Sequence, residues 1–293
     1  MRVALIGAGL MGAQIAAEYA LGGHDVQVVA PRTGPAGERI GQAFDLAVAH
    51  GLADAAAAGA ARARIALGTD PAAVDLATAL VVESVSEDLA TKGEVLRAAG
   101  AAAPGAVLAS NTSSIPITRI GEAAGAPERT IGTHYWNPPL LMPLVEIIAT
   151  ERTAPGVVEV ATDALRSLGK RPVVARRDVP GFVWNRLQFA LLREAVWLVE
   201  QGVASPETVD EIVRDGLARR WRYTGPFQTA ALGGGANFQR IANNLWPELS
   251  AATSLDGLLD LLPGDDALAG VRERRDAGLL RDLLAERQGE ATT

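Results

Sequence analysis

The sequence has 293 residues, of which 48% are hydrophobic, so it suits a globular protein with one large or two ordinary domains. Its formal net charge of −7 argues against nucleic acid as the main partner. The absence of cysteine excludes disulfides, thiolate catalysis and cysteine-ligated metal, and we expect no metal site. We expect no signal peptide, because the first nine residues are a predicted strand with its glycine turn, and no apolar run reaches about 18 residues. We therefore expect a cytoplasmic protein that does not enter a membrane.

An apolar strand at the start of the chain runs directly into the motif Gly7-x-Gly9-x-x-Gly12. In a dinucleotide-binding unit the first glycine permits a tight turn, the second lets the backbone approach a pyrophosphate, and the third allows close helix packing. The N-terminus of the next helix, at Leu10 and Met11, supplies free N–H groups for the phosphates. Because a second strand follows the helix, we predict that a dinucleotide binds here.

The second predicted strand, residues 25–29, departs from the pattern typical of NAD. An acidic residue is expected about 20 residues past the glycines, where it binds the ribose 2′-hydroxyl. The chain has Ala30, Pro31 and Arg32 there, and no carboxylate until Glu38. Arg32 is able to pair with the 2′-phosphate of NADP. It also fits a solvated residue or one stacked on the adenine, so the sequence leaves NAD and NADP open.

Strand and helix patterns alternate as far as residue 175. The predicted strands are 3–6, 26–29, 65–68, 80–83, 107–110, 130–134, 145–148 and 172–175. The helical stretches include 13–21, 40–50, 88–99, 117–123 and 156–168. This alternation is typical of a doubly wound α/β sheet.

Strand patterns end near Pro180, and helical periodicity takes over. The predicted helices beyond it are 182–200, 206–217, 237–245, 255–262 and 271–284. We therefore predict an N-terminal Rossmann domain over residues 1–179 and an all-helical C-terminal domain over residues 180–293.

Of the three histidines, His134 has the context of a catalytic residue. It ends a predicted strand, at the sheet edge where α/β folds bind ligands. Twelve positions later Glu146 lies within an apolar strand, where a carboxylate is costly without a partner. A double-proline loop between them turns the chain back and brings the two together. Such a carboxylate orients the imidazole and leaves its second nitrogen to exchange a proton. A buried ion pair or a surface histidine is the alternative.

Five polar residues, Ser110 to Ser114, follow another predicted strand at its carboxyl end. They form either a turn that caps the next helix or a set of hydroxyl and amide donors. In the second case the donors face a substrate oxygen and the nicotinamide, and Asn111 is the candidate on the cofactor side.

Six sequence blocks resemble the L-3-hydroxyacyl-CoA dehydrogenase family in order and spacing, from residue 1 to about residue 230. The blocks are Gly7-x-Gly9-x-x-Gly12, Val82 to Glu87, Ser110 to Ser114, His134-x-x-Asn137-Pro138, Leu144-Val145-Glu146 and Pro180-Gly181-Phe182-x-x-Asn185-Arg186. A further block, from Gly216 to Phe227, resembles the lambda-crystallin (L-gulonate 3-dehydrogenase) branch.

This resemblance implies catalytic and substrate-binding roles for five residues. His134 would remove the hydroxyl proton as hydride leaves, and Glu146 would orient it. Ser113 would hydrogen-bond the substrate oxygen, Asn185 would help hold the reacting carbonyl, and Asn137 would support the substrate site.

The resemblance also implies cofactor contacts and an assembly. Glu87 and Lys92 would lie beside the cofactor, although Asp88 stands where the family usually has Asn. The helical domain would form a homodimer and close the active-site cleft.

The implied reaction is hydride transfer between a nicotinamide cofactor and the 3-hydroxyl or 3-oxo carbon of a 3-hydroxyacyl-CoA thioester. The phosphates of CoA need cations, and the chain offers only Lys92 and scattered arginines. The alternatives are a free β-hydroxy acid such as gulonate or carnitine, a carrier-protein-bound hydroxyacyl group and, more remotely, a non-catalytic cofactor-binding protein. A decarboxylating dehydrogenase is excluded because no lysine follows Lys170. Five residues are candidates for the pocket rim: Trp136, Trp184, Trp221, Arg222 and Tyr223.

Overall fold

The fold is taken from a computed structural model that describes residues 1–255 and 258–289. The chain divides into two compact units. The first holds Met1–Asn185 together with the C-terminal segment from Arg272, and the second holds Arg186–Val271. Within the described ranges, no helix combines the length and the hydropathy that a bilayer span requires.

Eight strands form a single sheet in the first unit. They are β1 (Arg2–Ile6), β2 (Asp25–Val29), β3 (Ile65–Gly68), β4 (Leu80–Glu83), β5 (Val107–Ser110), β6 (Thr130–Tyr135), β7 (Leu144–Ile148) and β8 (Arg171–Ala175). Their order is β3-β2-β1-β4-β5-β6-β7-β8. Neighbours are parallel except for the antiparallel pair β6 and β7. All eight predicted strands are present, and the Rossmann-type fold class is confirmed.

Helices flank this sheet. They are α1 (Leu10–Leu21), α2 (Thr33–Ala49), α3 (Ala55–Arg62), α4 (Leu89–Ala102), α5 (Ile117–Ala124) and α6 (Pro155–Ser167). Helix α2 begins seven residues before the predicted start at Ile40. The early start is permitted because Pro35 lies in the first turn, where a backbone N–H has no intrahelical acceptor to lose.

The remaining elements are helical, which confirms the predicted helical C-terminal part. They are α7 (Trp184–Glu200), α8 (Pro206–Glu211), a π-helical segment (Ile212–Leu217), α9 (Ala218–Trp221), α10 (Pro226–Leu232), α11 (Gly235–Leu245), a 3₁₀ turn (Trp246–Glu248), α12 (Leu258–Leu261) and α13 (Asp265–Arg287). The predicted helix 255–262 includes residues 256 and 257, which lie outside the described residues. Helix α10 was not predicted from the sequence.

The hydrophobic core lies on both faces of the sheet. Along β1, Val3 and Leu5 pack into one apolar cluster, and Ala4 and Ile6 pack into the other. This is the alternation that a strand covered on both faces requires. Burying each large aliphatic side chain contributes about 1.5–3 kcal/mol, so the two layers fix the strands firmly. The loops at the carboxyl ends of the parallel strands are then free to carry functional groups.

Candidate active site

The antiparallel pairing of β6 and β7 places His134 and Glu146 directly opposite each other. Nδ1 of His134 lies 2.8 Å from Oε2 of Glu146, and both residues are 4% exposed. The loop that joins the two strands contains Pro138 and Pro139, as the sequence predicted. A carboxylate on Nδ1 makes that nitrogen the donor and leaves Nε2 as the nitrogen that exchanges a proton.

The second oxygen of Glu146 accepts two backbone hydrogen bonds. The N–H groups of Val183 and Trp184 donate to Oε1 at 3.1 Å and 3.0 Å. Burial raises the pKa of Glu146, but the hydrogen bonds from His134 and from these two N–H groups outweigh it. The pKa of Glu146 therefore lies below its ordinary value, and the group stays an anion at neutral pH.

Aromatic rings surround the dyad. Phe182 is 1% exposed, and its ring lies edge-on to His134 with 5.6 Å between centroids. Its φ of 51° is in the left-handed region, which is uncommon for a residue other than glycine and marks local strain. Beyond it, the indoles of Trp136 and Trp184 stack at 3.7 Å and an interplanar angle of 25°. The backbone turn at Phe182 precedes the two N–H groups that hold Glu146.

The loop after β5 is organised by Glu87. Oε1 of this residue accepts hydrogen bonds from the Thr112 hydroxyl, from the Ser113 and Ser114 N–H groups and from the Ser114 hydroxyl, at 2.6–3.0 Å. Burial raises the pKa of Glu87. The hydrogen bond from Thr112, the positive charge of Lys92 and the hydrogen bonds from Ser114 outweigh that effect and lower the pKa to about 2. Glu87 therefore holds the Ser113 backbone as an anion at neutral pH.

Asn185 joins the same loop. Its Nδ2 donates to the Ser113 carbonyl oxygen at 2.8 Å, and the side chain of Ser113 is exposed. The four residues predicted as a catalytic set therefore form two hydrogen-bonded pairs. His134 pairs with Glu146, and Asn185 pairs with the backbone of Ser113. Their catalytic roles stay predictions.

The glycine turn has the shape that a dinucleotide requires. A Cβ on Gly7, whose φ is 96°, would lie 2.6 Å from the Ser84 carbonyl oxygen, and one on Gly12 would collide with the Gly7 carbonyl. A Cβ on Gly9 would meet nothing within 4 Å, so that glycine faces open space. The turn borders a cavity of about 460 Å³ that reaches the end of β2 and includes Arg32. A pyrophosphate on the N-terminus of α1 and an adenosine toward β2 fit this arrangement.

Two family models match the chain in succession. Residues 2–179 match the NAD binding domain of 3-hydroxyacyl-CoA dehydrogenase, and residues 181–258 match its C-terminal domain. The chain belongs to the 3-hydroxyacyl-CoA dehydrogenase family. It is an NAD-dependent oxidoreductase, which confirms the enzyme class and the family resemblance predicted from the six motif blocks.

Some relatives of the chain are named for substrates that are not CoA thioesters. The chain is 39% identical over 254 residues to 5-formyl-3-hydroxy-2-methylpyridine 4-carboxylate 5-dehydrogenase of Mesorhizobium japonicum, covering 85% of this chain and 81% of the relative. It is 35% identical over 293 residues to L-carnitine dehydrogenase of Streptomyces griseus, covering 98% and 86%. A crystal structure of a dehydrogenase for the same pyridine acid, described as an NAD+-dependent dismutase, matches with a TM-score of 0.84. Its identity is 31%, with 100% and 99% of the two chains covered.

Lys92, which the family resemblance placed beside the cofactor, lies inside the protein. It is 1% exposed, and its ammonium is 2.8 Å from Glu83 and 3.3 Å from Glu87. Glu83 in turn accepts a hydrogen bond from the Ser110 hydroxyl at 2.6 Å. Lys92 therefore supports the end of β5 and the loop after it indirectly, through the carboxylates of Glu83 and Glu87. Its direct contact with NAD stays a prediction.

Two further predicted residues, Asn111 and Asn137, follow strands of the sheet at its carboxyl end. Nδ2 of Asn111 donates to the Ser84 hydroxyl, and its Oδ1 accepts from the Tyr135 N–H, so this side chain ties three strand ends together. Asn137 is exposed, in the loop between β6 and β7. At the start of α1, Leu10 is exposed and Met11 packs against the core. The rim candidates Trp221, Arg222 and Tyr223 belong to the second unit.

Sequence reasoning missed three residues of this site. Glu83 ends an apolar strand, which is the same signal that singled out Glu146. Arg39, within α2, lines the same cavity beside the glycine turn as Arg32. Phe182 packs on His134 in a strained backbone conformation, which no sequence signal predicts.

Proposed function

We propose that this protein is an NAD-dependent dehydrogenase that interconverts an alcohol and a carbonyl in a small, free carboxylic acid. The observation that carries the reaction is the buried His134–Glu146 hydrogen bond at the sheet edge. The substrate class is supported by matches over more than 80% of both chains to relatives named for a pyridine carboxylate and for carnitine. A 3-hydroxyacyl-CoA thioester is the second candidate, favoured by the family to which the chain belongs.

In the oxidation direction, the hydroxyl proton of the substrate passes to Nε2 of His134. The carbon–hydrogen bond breaks at the same time, and a carbonyl replaces the alcohol. When bound, NAD+ supplies the hydride acceptor. Glu146 stabilises the imidazolium that results, because its carboxylate is ionised and lies 2.8 Å away. In the reduction direction, the imidazolium returns its proton to the carbonyl oxygen.

The neighbouring loop provides groups for the substrate oxygen. Ser113 has an exposed side chain, while its backbone is fixed by Glu87 and by Asn185. A hydroxyl on a fixed backbone loses little freedom on binding, so Ser113 is suited to donate to the developing oxyanion. The indoles of Trp136, two positions after His134 in the sequence, and of Trp184, the residue before Asn185, stack to form a flat apolar surface. Such a surface suits a compact substrate with a ring or a cationic head.

Neither lysine of the chain is free to bind the phosphates of a CoA carrier, which leaves only arginines for that role. The two lysines of the sequence are Lys92 and Lys170. Lys92 pairs with Glu83, and Lys170 lies 2.5 Å from Glu18 with a 4% exposed side chain. Both ammonium groups are buried and already paired, so neither is available to the phosphates of CoA.

The test is a comparison of three substrates with the purified protein and NAD+ or NADH, followed at the nicotinamide absorbance. The substrates are L-carnitine, 5-formyl-3-hydroxy-2-methylpyridine 4-carboxylate and acetoacetyl-CoA. We expect kcat/KM for one of the free acids to exceed that for acetoacetyl-CoA by at least about a hundredfold, because a site built for a small acid leaves a pantetheine arm unpaired. A higher kcat/KM for acetoacetyl-CoA would overturn the substrate assignment and leave the dyad assignment standing.

We also propose that residues 1–179 act as the dinucleotide-binding domain, and residues 180–293 as the substrate and dimerisation domain. The second unit exposes large apolar side chains, with Phe227 89% exposed, Leu232 79% and Trp246 71%. Exposed apolar area on this scale is typical of a surface that another chain covers. Light scattering on the purified protein should give twice the chain mass, and Phe227→Glu should shift it toward a monomer. A wild-type monomer at micromolar concentration would contradict the dimer.

A further inference from the structure

The cavity beside the glycine turn lacks the acidic residue that NAD-specific sites use. It reaches Ala30 at the end of β2, where a carboxylate would accept hydrogen bonds from the ribose diol. None of the described residues that line it is Asp or Glu. Glu38 lies on α2 but is exposed and does not line the cavity. No lining residue therefore repels a negative charge at the ribose 2′ position.

Two arginines line this same cavity. Arg32 is the residue before α2, and Arg39 follows seven residues later within it. Arg32 has an extended backbone and Arg39 is helical, but both line this cavity, so their side chains border the same space. The N-terminus of α2 itself adds a partial positive charge at this end.

Both guanidinium groups have N–H donors that make no hydrogen bond within the described part of the chain. Arg32 is exposed, and the described part of the chain gives it no hydrogen bond or ion pair. Nη1 of Arg39 donates to the Ala8 carbonyl oxygen at 3.4 Å, a long hydrogen bond that turns the side chain toward the glycine turn. A guanidinium has five N–H donors, so Arg39 retains most of them for a ligand.

We propose that Arg32 and Arg39 form a subsite for the 2′-phosphate of NADP(H), so that this protein accepts NADP(H) as well as NAD(H). Arginine binds phosphate through two parallel hydrogen bonds, and the two arginines that line this cavity match the charge of a 2′-phosphate. The inference concerns the adenosine side of the cofactor and goes beyond the proposed reaction. It holds whichever substrate the dyad acts on.

The test measures binding and needs no substrate. NADH and NADPH are titrated into the full-length protein, and the dissociation constants are read from nicotinamide fluorescence. Adenosine 2′,5′-bisphosphate and AMP are then compared as competitors of NADH, because they differ by the 2′-phosphate alone. The variants are Arg32→Ala, Arg39→Ala, the double variant and Ala30→Asp. Arg119→Ala is the matched control, since this arginine is exposed on α5 and does not line the cavity.

We expect the wild-type Kd for NADPH to lie within about tenfold of that for NADH. Each arginine variant should raise the Kd for NADPH by about tenfold to a hundredfold, which is the range expected for a lost charge-assisted hydrogen bond. The Kd for NADH should change by less than about threefold. Ala30→Asp should also select against NADPH. Wild-type binding of NADPH that is a thousandfold weaker than that of NADH, or equal losses for both cofactors in the arginine variants, would overturn the proposal.

Discussion

The contact between His134 and Glu146 allows acid–base chemistry to be separated from structural support. In His134→Asn, the amide nitrogen lies near the position of Nδ1, so it keeps a donor for Glu146 but has no nitrogen that exchanges a proton. In His134→Ala both functions are lost. A positioned general acid–base contributes about 10²–10⁴-fold, or about 2.7–5.5 kcal/mol of transition-state stabilisation. Both variants should lose turnover by this factor.

The two variants should differ in stability. Glu146 is 4% exposed and accepts three hydrogen bonds, one of them from His134. Removing one hydrogen bond to a buried charged group costs about 1.5–3 kcal/mol, so the free energy of unfolding should fall in His134→Ala and much less in His134→Asn. The assays are single-turnover hydride transfer, urea denaturation and NADH fluorescence, and NADH affinity should be unchanged. Turnover retained in His134→Asn would refute the assignment of His134 as the acid–base.

Three further perturbations follow from the geometry. The pKa of Glu87 is about 2, so its ionised form stabilises the fold above the ordinary carboxyl pKa, and that stability is lost as pH falls toward about 2. The melting temperature of the wild type should therefore fall more steeply than that of Glu87→Gln between about pH 5 and pH 3; parallel curves would exclude this role. Gly9→Val should weaken the binding of NADH without lowering the melting temperature, because the new side chain enters open space. Gly12→Val should lower the melting temperature, because its side chain clashes with the Gly7 carbonyl. Equal melting temperatures for the two variants would count against this geometry. Lys92→Met should lower the free energy of unfolding by about 3–5 kcal/mol, because it leaves the buried Glu83 carboxylate without its counter-ion. Adding Glu83→Gln to this variant should restore part of the lost stability. An unchanged free energy of unfolding in Lys92→Met would show that the ion pair is dispensable.

The sheet was predictable because its signals are local. Each strand is a short apolar run bounded by glycine, proline or polar residues, and those boundaries match the observed strands closely. The pairing of His134 with Glu146 was also predictable. A costly carboxylate within an apolar strand, two prolines and a histidine at a strand end lie within fifteen residues of sequence.

The contacts that organise the site were not predictable in this way. Glu87 is held by a loop about 25 residues further along, and Asn185 reaches Ser113 across 72 positions. Nothing in either local sequence encodes the partner. The start of α2 was missed because Gly34 and Pro35 are typical turn residues, although proline is tolerated in a first helical turn. Arg39 escaped notice because a helical arginine is usually a solvated one.

The two oxygens of Glu146 accept from three donors, and this count limits what can replace it. A glutamine has a single acceptor oxygen, and its NH₂ group would face either the Val183 and Trp184 N–H groups or Nδ1 of His134. If the NH₂ group faces Val183 and Trp184, the first N–H groups of α7 lose their acceptor. If it faces His134, Nδ1 must become the acceptor, which reverses the tautomer of the histidine. An aspartate keeps both acceptors but is one methylene shorter. The proton transfer that we propose and the start of α7 thus depend on one side chain, so a tolerated substitution at position 146 would need compensating changes on two separate segments of the chain.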